Sequence, residues 1–180
     1  MGDYRQLADA LFHAGTRSGS QFEHVDTANR LHLYVVAKHR DAAGVLSYTV
    51  AARSLDSSGG GSVAGVALSP GSVAGKSAQK PGVSCVFTLK NTGLAAPGAD
   101  PGVFGSDVFR LNATVAAGAD GWRVVVPNAL AAVPFGGEAM VRVAVGAAEG
   151  AAEKATVELT ATSEMDGRTR AVGQCVVERG

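Results

Sequence analysis

The most regular pattern in the chain is an alternation of apolar and mostly polar residues that begins at Val83. One residue separates each of Val83, Cys85, Phe87 and Leu89 from the next, so a β-strand would place all four on the same face. Comparable alternation recurs at residues 107–116, 135–145, 155–164 and 169–177, and residues 122–126, WRVVV, form a further predicted strand. Short strands at this spacing, joined by turns, are typical of a sandwich of about six strands. The pattern therefore predicts a β-sandwich over residues 81–180.

The N-terminal third of the chain follows two other patterns. A helical spacing of apolar residues predicts a short helix over residues 4–12, with Leu7, Ala8, Leu11 and Phe12 as its apolar stripe. Residues 31–36 and 45–53 alternate as two strands do, and the link between them has turn-forming residues, so they predict a hairpin. Because an isolated hairpin is only marginally stable in water, we expect it to pack on another element.

A Gly- and Ser-rich stretch separates the two regions. Residues 56–62 include three consecutive glycines and no bulky side chain, which favours a flexible connector. The sequence thus predicts a helix and hairpin unit over residues 1–55, a linker with one weak strand over residues 56–80, and the sandwich over residues 81–180. The predicted fold class is all-β, an immunoglobulin-like β-sandwich preceded by a short helix and β-hairpin unit.

The charges are balanced, with 16 Lys and Arg against 16 Asp and Glu. They form no basic stripe, so we expect neither nucleic acid nor an anionic membrane as a partner. No window contains the roughly 18 consecutive apolar residues of a membrane helix. The first twelve residues lack the basic and apolar regions of a signal peptide, so we expect no signal peptide in this chain.

The chain has two cysteines, Cys85 and Cys175, and each lies on the inward face of a predicted strand. Outside the cytosol they would form a disulfide that closes a loop of about 90 residues, whereas in the cytosol they would stay two buried thiols. In the chain-entropy model a loop of this length contributes about 4 to 5 kcal/mol to stability. The inward placement favours the disulfide.

No motif of catalytic or metal-binding residues is apparent. The four histidines match no zinc spacing, and His32 alternates with leucines on what we interpret as the exposed face of its strand. No serine has the Gly-x-Ser-x-Gly setting of a hydrolase nucleophile. We therefore predict no catalytic residue, no metal ligand and no cofactor. Single acidic turn residues leave a structural calcium ion as an alternative, namely Asp100, Asp107, Asp120 and Asp166.

Three aromatic residues are candidates for binding a carbohydrate surface. Trp122, Tyr34 and Tyr48 would stack on sugar rings if the structure exposed them in one plane. Trp122 begins a predicted strand, and we interpret it first as a core residue.

Several of these segments resemble a known family. NRLHLYVVAKHRDAAGVLSYTVAARSLD, CVFTLKNTG, GWRVVVPNALAAVPFGG and ATVELTATSEMDGRTRAVGQCVV together resemble the C-terminal region of actinobacterial secreted metalloproteases of the immune inhibitor A type, peptidase family M6. The later segments are also similar to the NEW3-like immunoglobulin-type modules that follow catalytic domains in bacterial hydrolases.

The resemblance implies an extracellular, non-catalytic accessory module of a secreted hydrolase, a metalloprotease above all. It also implies that the chain is a fragment of a larger protein or a truncated gene product without the enzyme part. Such a module would stabilise or position the enzyme, or contact its polysaccharide or protein substrate, with an upstream catalytic domain as partner. The catalytic zinc motif of the family has no match in this chain, so the chain is expected not to be an enzyme. A carbohydrate- or surface-binding adhesin-like domain is the alternative function, and a small enzyme with its own pocket is a further one.

Overall fold

The computed structural model of the protein describes residues 23–56, 61–75 and 83–179. Within these ranges nearly all regular structure is β-strand, which confirms the all-β fold class. The helix predicted over residues 4–12 lies outside the described residues. The elements in chain order are β1 (Glu23–Asp26), β2 (Leu31–Arg40), β3 (Leu46–Ser54), β4 (Val66–Leu68), β5 (Ser72–Ala74), β6 (Ser84–Asn91), the single helical turn α1 (Pro101–Phe104), β7 (Ser106–Ala117), β8 (Trp122–Val125), β9 (Leu130–Pro134), β10 (Glu138–Ala147), β11 (Lys154–Ser163) and β12 (Arg170–Glu178).

The strands form three antiparallel sheets. The N-terminal sheet has the order β1-β2-β3. A second sheet has the order β4-β6-β10-β8, with β5 also paired to β6, and a third has the order β12-β11-β7-β9. The second and third sheets face each other and form the sandwich. Its immunoglobulin-like type stays a prediction.

The core of the sandwich lies between these two sheets, and alternation along the strands supplies it. Every second residue of β6 is buried, and Phe87 and Leu89 are fully so. Phe109 on β7 and Leu159 on β11 are equally buried on the opposite sheet. The alternation read from the sequence therefore identified the buried face of these strands correctly. It did not predict β9, whose residues LAAVP contain no polar positions to set the period.

The segment between the two regions contributes to the sandwich. The sequence predicts a linker with one weak strand over residues 56–80, and the structure forms two short strands there, β4 and β5, both paired with β6. The amide of Gly71, between these strands, donates to the carbonyl of Gln174 on β12 at 2.8 Å. The described residues of this segment therefore bond to both sheets and close one side of the core.

The N-terminal sheet packs on the outer face of the third sheet, at the strands β7 and β9. Tyr34 and Val36 on β2 form a small apolar cluster with Leu130 on β9, and the partly buried Val108 and Ala132 pack against it. The side-chain amide of Asn128 donates to the backbone carbonyl of Val36 at 2.6 Å. The predicted hairpin, extended by β1 to three strands, thus gains the packing partner that its stability requires.

Candidate functional site

Polar side chains from both parts of the chain meet beside this apolar cluster. We call the group the junction cluster: Glu23, His32, Tyr34, Arg53, Arg110 and Glu164. Strands β1, β2 and β3 position the first four residues, β7 positions Arg110, and Glu164 directly follows β11. The alternation of β7 turns Phe109 into the core and Arg110 outward, toward the N-terminal sheet. The cluster therefore lies where the N-terminal sheet covers the sandwich.

Arg110 connects the two carboxylates of the cluster. Its Nε donates to Glu164 Oε1 at 2.6 Å. Its two terminal nitrogens donate to Glu23, with Nη2 to Oε2 at 2.8 Å and Nη1 to Oε1 at 3.3 Å. A planar guanidinium suits this fork because its donors have a fixed geometry that matches a carboxylate.

The Tyr34 hydroxyl is the second centre of the cluster. Arg53 Nε donates to it at 2.7 Å, and it donates to Glu164 Oε2 at 2.8 Å. His32 Nδ1 lies 2.8 Å from the same oxygen, and the His32 ring stacks on the Tyr34 ring with 4.0 Å between centroids. The hydroxyl thus has three hydrogen-bonding partners within the cluster, Arg53, Glu164 and His32.

The structure buries His32, with 7% of its surface exposed, on the same face as Tyr34. The prediction that His32 lies on the exposed face of its strand is therefore wrong. The physical reason is that both ring nitrogens find partners there, since Nε2 lies 3.0 Å from Glu23 Oε2.

Contacts within the cluster lower the pKa of both carboxylates, Glu23 and Glu164, and so favour their charged forms. The hydrogen bond from Arg110 is the main cause that lowers the pKa of Glu23 below its ordinary value. Burial by itself would raise the pKa of Glu164, but hydrogen bonds from Arg110 and Tyr34 outweigh burial and lower it. Burial and the bond to Glu164 raise the pKa of Tyr34, so its hydroxyl stays protonated at neutral pH.

These contacts suit the cluster to hold two sheets in a fixed orientation. Among the described residues, no buried side-chain nitrogen or oxygen lacks a hydrogen-bond partner. A cluster in which every buried polar atom is paired favours one arrangement of the two sheets, because a shift would separate partly buried charged groups from their partners. Sequence reasoning missed it because its members lie up to 141 positions apart, from Glu23 to Glu164.

An open groove runs along the same junction. It has a volume of about 440 Å³, and its walls come from the middle of β2 and from β3, β7, β9 and β10. The main lining side chains are Val36, Thr49, Leu130, Met140 and Arg142. Its walls are largely apolar, and Met140 is 72% exposed there.

Cys85 on β6 and Cys175 on β12 form a disulfide, with 6.2 Å between their Cα atoms. The two residues are 0% and 2% exposed, so the bond lies inside the core and joins the two sheets. The disulfide predicted from the inward placement of the cysteines is confirmed.

The structure does not bring the three candidate stacking residues together. Tyr34 belongs to the junction cluster and is 1% exposed, and Trp122 is 6% exposed in the sandwich core. The indole nitrogen of Trp122 donates to the carbonyl of Ala152 at 3.0 Å, which satisfies its polar atom inside the fold. Tyr48 alone is partly exposed, on β3. These rings form no exposed plane on which a sugar would stack.

The described residues contain no cluster of candidate metal-binding side chains. Nowhere in residues 23–56, 61–75 or 83–179 do three His, Cys, Asp or Glu side chains stand close enough to hold a metal ion. Asp107 is buried and accepts a hydrogen bond from Ser163 Oγ at 2.5 Å, and burial raises its pKa.

The described part of the chain also contains no helix with the length and apolar character needed to cross a membrane.

Comparison with known proteins relates both parts of the chain to one kind of protein. A family model described as Peptidase M6-like domain matches residues 67–179, and one described as a middle domain matches residues 1–55. A curated protein of Arthroderma benhamiae named "Putative secreted metallopeptidase" is 50% identical over 193 aligned positions. The alignment covers 99% of this chain and 27% of that relative, so the chain spans about a quarter of the relative's length.

These comparisons correct one prediction. The expectation that the chain is not an enzyme is wrong, because the M6-like match and a metallopeptidase relative aligned with nearly the whole chain both point to a peptidase. The resemblance to family M6 is confirmed at the level of the family, while an actinobacterial origin and a NEW3-like module stay predictions. The M6-like model matches more than half of the residues of this chain, so the chain belongs to the Peptidase M6-like domain family.

Proposed function

We propose that this chain is part of a longer secreted metallopeptidase, in which it stabilises or positions the peptidase or contacts its substrate. The observation that carries this proposal is the junction cluster. Through it Arg110 links Glu23 and Glu164, and so ties the N-terminal sheet to the sandwich. A unit in which the N-terminal sheet and the sandwich are held in a fixed orientation is suited to position the rest of the peptidase, which is joined to it.

An extracellular location is part of the same proposal. The buried bond between Cys85 and Cys175 favours it, because structural disulfides persist in oxidising compartments. The word "secreted" in the name of the relative agrees with it. We further propose that the sandwich is of the immunoglobulin-like, NEW3-like type, and that the partner of the unit is the peptidase part of the same longer protein or its protein substrate.

The test uses the full-length Arthroderma relative, of which the matched region is 27%. Three versions are secreted from one host: the unaltered protein, a version that lacks the matched region, and a version that carries this chain in its place. We expect the deletion to lower secreted yield and casein hydrolysis several-fold and to lower the thermal midpoint, because loss of a stabilising unit acts through abundance and stability. The exchange should restore all three.

Two substitutions within the exchanged region make the test specific. Arg110→Met breaks the junction cluster, whereas Lys154→Met breaks only an exposed pair with Glu178, whose side chains are 66% and 67% exposed. We expect the first to lower casein hydrolysis and the second to leave it unchanged. Unchanged yield, midpoint and hydrolysis in the deletion version would overturn the proposal.

A further inference from the structure

Strand β10 has a hydrogen-bonding edge that is only partly paired. β8 runs beside it but pairs only with its last residues, from Ala144, opposite Val125, to Ala147. If β8 continued in the same register, Pro127 would come opposite Arg142, and proline has no amide to donate. The chain instead bends at Pro127 and continues as β9 in the other sheet. Within the described ranges, no strand therefore pairs with this edge of β10 before Ala144.

Two residues of β10 direct their backbone groups to the unpaired edge. The amide of Val145 donates to the carbonyl of Val83 beside β6 at 3.1 Å, and β10 pairs with β6 without a register shift. In an antiparallel ladder, residues that bond to one neighbour alternate with residues that face the other side. The odd-numbered residues of β10 thus bond to β6, and the amides and carbonyls of Met140 and Arg142 point away from it. No other described residue forms a backbone hydrogen bond with them there.

This edge lies in the groove at the junction. Met140, Val141 and Arg142 of β10 line it together with Leu130 and Ala132 of β9. β9 is the last strand of its own sheet, so the groove lies between an unpaired edge of β10 and an edge strand. Unpaired strand edges are templates for a further strand, and an extended peptide that adds itself there is a recurring mode of recognition.

The side chains around the edge determine which peptide fits. Among the described residues that line the groove, Arg142 alone is charged, and it forms no ion pair with another described residue. Met140 lies two positions away on the same face and is 72% exposed. Because directly opposed residues of antiparallel strands share a face, an added strand would place one residue opposite Arg142 and another opposite Met140. An acidic residue and an aliphatic residue fit these two positions, and the residue between them would face the apolar interior of the groove.

We propose that the groove binds an extended, acidic segment of a protein substrate, which joins β10 as an antiparallel strand at Met140 and Arg142. An antiparallel strand meets Arg142 first, so the preferred order from the N-terminus is acidic, apolar, apolar. This inference rests on the proposed function, in which contact with the substrate is one role of the chain. Peptide binding can fail while the exchanged chain still restores yield and hydrolysis to the Arthroderma relative, so the two failures are distinguishable.

The first experiment measures binding of the capped peptide acetyl-Thr-Glu-Val-Leu-Thr-amide to the full chain by titration calorimetry. We expect saturable binding with a Kd below about 1 mM, and binding at least about tenfold weaker when lysine replaces the glutamate of the peptide. Methylation of the leucine amide, which would face β10, should weaken binding by about tenfold because it removes a hydrogen bond of the added strand. Methylation of the valine amide, which would face away from β10, should weaken binding less.

Two arginine variants locate the acidic residue of the peptide. Arg142→Met removes the charge and keeps an apolar side chain, and Arg123→Met does the same at an exposed arginine on β8 of the same sheet. We expect Arg142→Met to reduce the preference for the glutamate peptide over the lysine peptide to less than about twofold, because contacting groups couple. Arg123→Met should keep the full preference.

Amide exchange locates the backbone of the peptide. The amides of Met140 and Arg142 should exchange at least about tenfold more slowly in the presence of saturating peptide, since they would gain hydrogen bonds. The amide of Ala144, which already faces β8, should exchange at the same rate with and without peptide.

Three results would contradict the proposal. One is the absence of saturable binding or an equal affinity for the glutamate and lysine peptides. Another is binding that leaves the exchange rates of Met140 and Arg142 unchanged, which would place the peptide elsewhere. The third is protection of these two amides that rises with protein concentration in the absence of peptide, which would assign the edge to a second copy of the chain.

Discussion

Arg110 on the sandwich and Glu23 on the N-terminal sheet form a forked ion pair across 87 positions of sequence, with 2.8 Å between Nη2 and Oε2. The same guanidinium binds Glu164, so one side chain joins β1, β7 and the end of β11. Residues this far apart meet only when both parts of the chain are folded and docked. The pair therefore reports directly on whether the two parts are docked.

Arg110→Met should loosen this docking. The substitution leaves Glu23 and Glu164 without their cation at a site where the Glu164 side chain is only 13% exposed. Since hydrogen bonds to charged groups contribute about 1.5 to 3 kcal/mol and the Arg110 side chain is itself 38% exposed, we expect a loss near the lower end of this range in urea unfolding. Lys154→Met, at an exposed pair that solvent screens, should leave the free energy of unfolding essentially unchanged. Equal losses for both variants would show that the cluster does not hold the junction.

Tyr34→Phe should be destabilising although it removes a single oxygen. The hydroxyl accepts from Arg53 and donates to Glu164, so its loss leaves polar groups short of partners at a cost of about 1 to 3 kcal/mol. Tyr48→Phe is the matched control, because Tyr48 is partly exposed on the outer side of the same sheet, and its effect should stay below about 0.5 kcal/mol. Thermal or urea unfolding of the two variants, measured side by side, compares their losses of stability. A Tyr34→Phe variant as stable as Tyr48→Phe would mean that water replaces the hydroxyl.

The contrast between Cys85 and His32 shows how far the sequence predicts this fold. Cys85 lies in a strand whose apolar residues, apart from Val86, all have the same parity, so alternation alone assigns its buried face. In β2 both parities carry apolar residues, with Leu31 and Leu33 on one and Tyr34 and Val36 on the other. Which face of β2 is buried depends on Arg110 and Glu164, far along the chain, and local periodicity contains no information about them. The junction cluster was unpredictable for the same reason.

Reduction of the disulfide should destabilise the sandwich strongly. The bond joins residues 90 positions apart, and a loop of this length contributes about 4 to 5 kcal/mol in the chain-entropy model, with measured values often smaller. We expect the double variant Cys85→Ala with Cys175→Ala to show this loss in urea unfolding without reductant. Reductant should lower the stability of the wild-type chain and leave the variant unchanged. Alkylation of the denatured, unreduced wild-type protein should add no label, and two added labels would contradict the bond.

Acid should weaken the junction through its carboxylates. The pKa of Glu164 is lower in the folded chain than its ordinary value of 4.5, so its contribution is fully present above that value and is lost as pH falls through the folded pKa. The stability difference between wild type and Glu164→Gln should therefore be constant from neutral pH to about pH 5.5 and shrink below about pH 4.5.

Asp107 provides a control of opposite sign. Burial raises its pKa above its ordinary value of 3.8, so its contribution is fully present below that value and declines as pH rises through the folded pKa. As pH rises through the acid range, the stability of the wild type relative to Asp107→Asn should thus decrease. Over the same range, the stability of the wild type relative to Glu164→Gln should increase. Urea unfolding of the three proteins from pH 3 to pH 7 measures both trends, and two trends of the same sign would contradict the assignments.

Gly71 tests whether the segment between the two regions is part of the core. A Cβ atom there would lie 2.6 Å from Cβ of Cys175 and 2.7 Å from Cε1 of Phe87, so Gly71→Ala should cost about 1 to 3 kcal/mol through overpacking. Gly146→Ala is the control, since a Cβ at Gly146 meets nothing within 4 Å. Because a glycine in a flexible linker would tolerate alanine or gain stability from it, the sign of the change in unfolding free energy separates the two interpretations. A loss at Gly71 with no loss at Gly146 places the segment in the sandwich in solution, and a neutral or stabilising Gly71→Ala would return it to a linker.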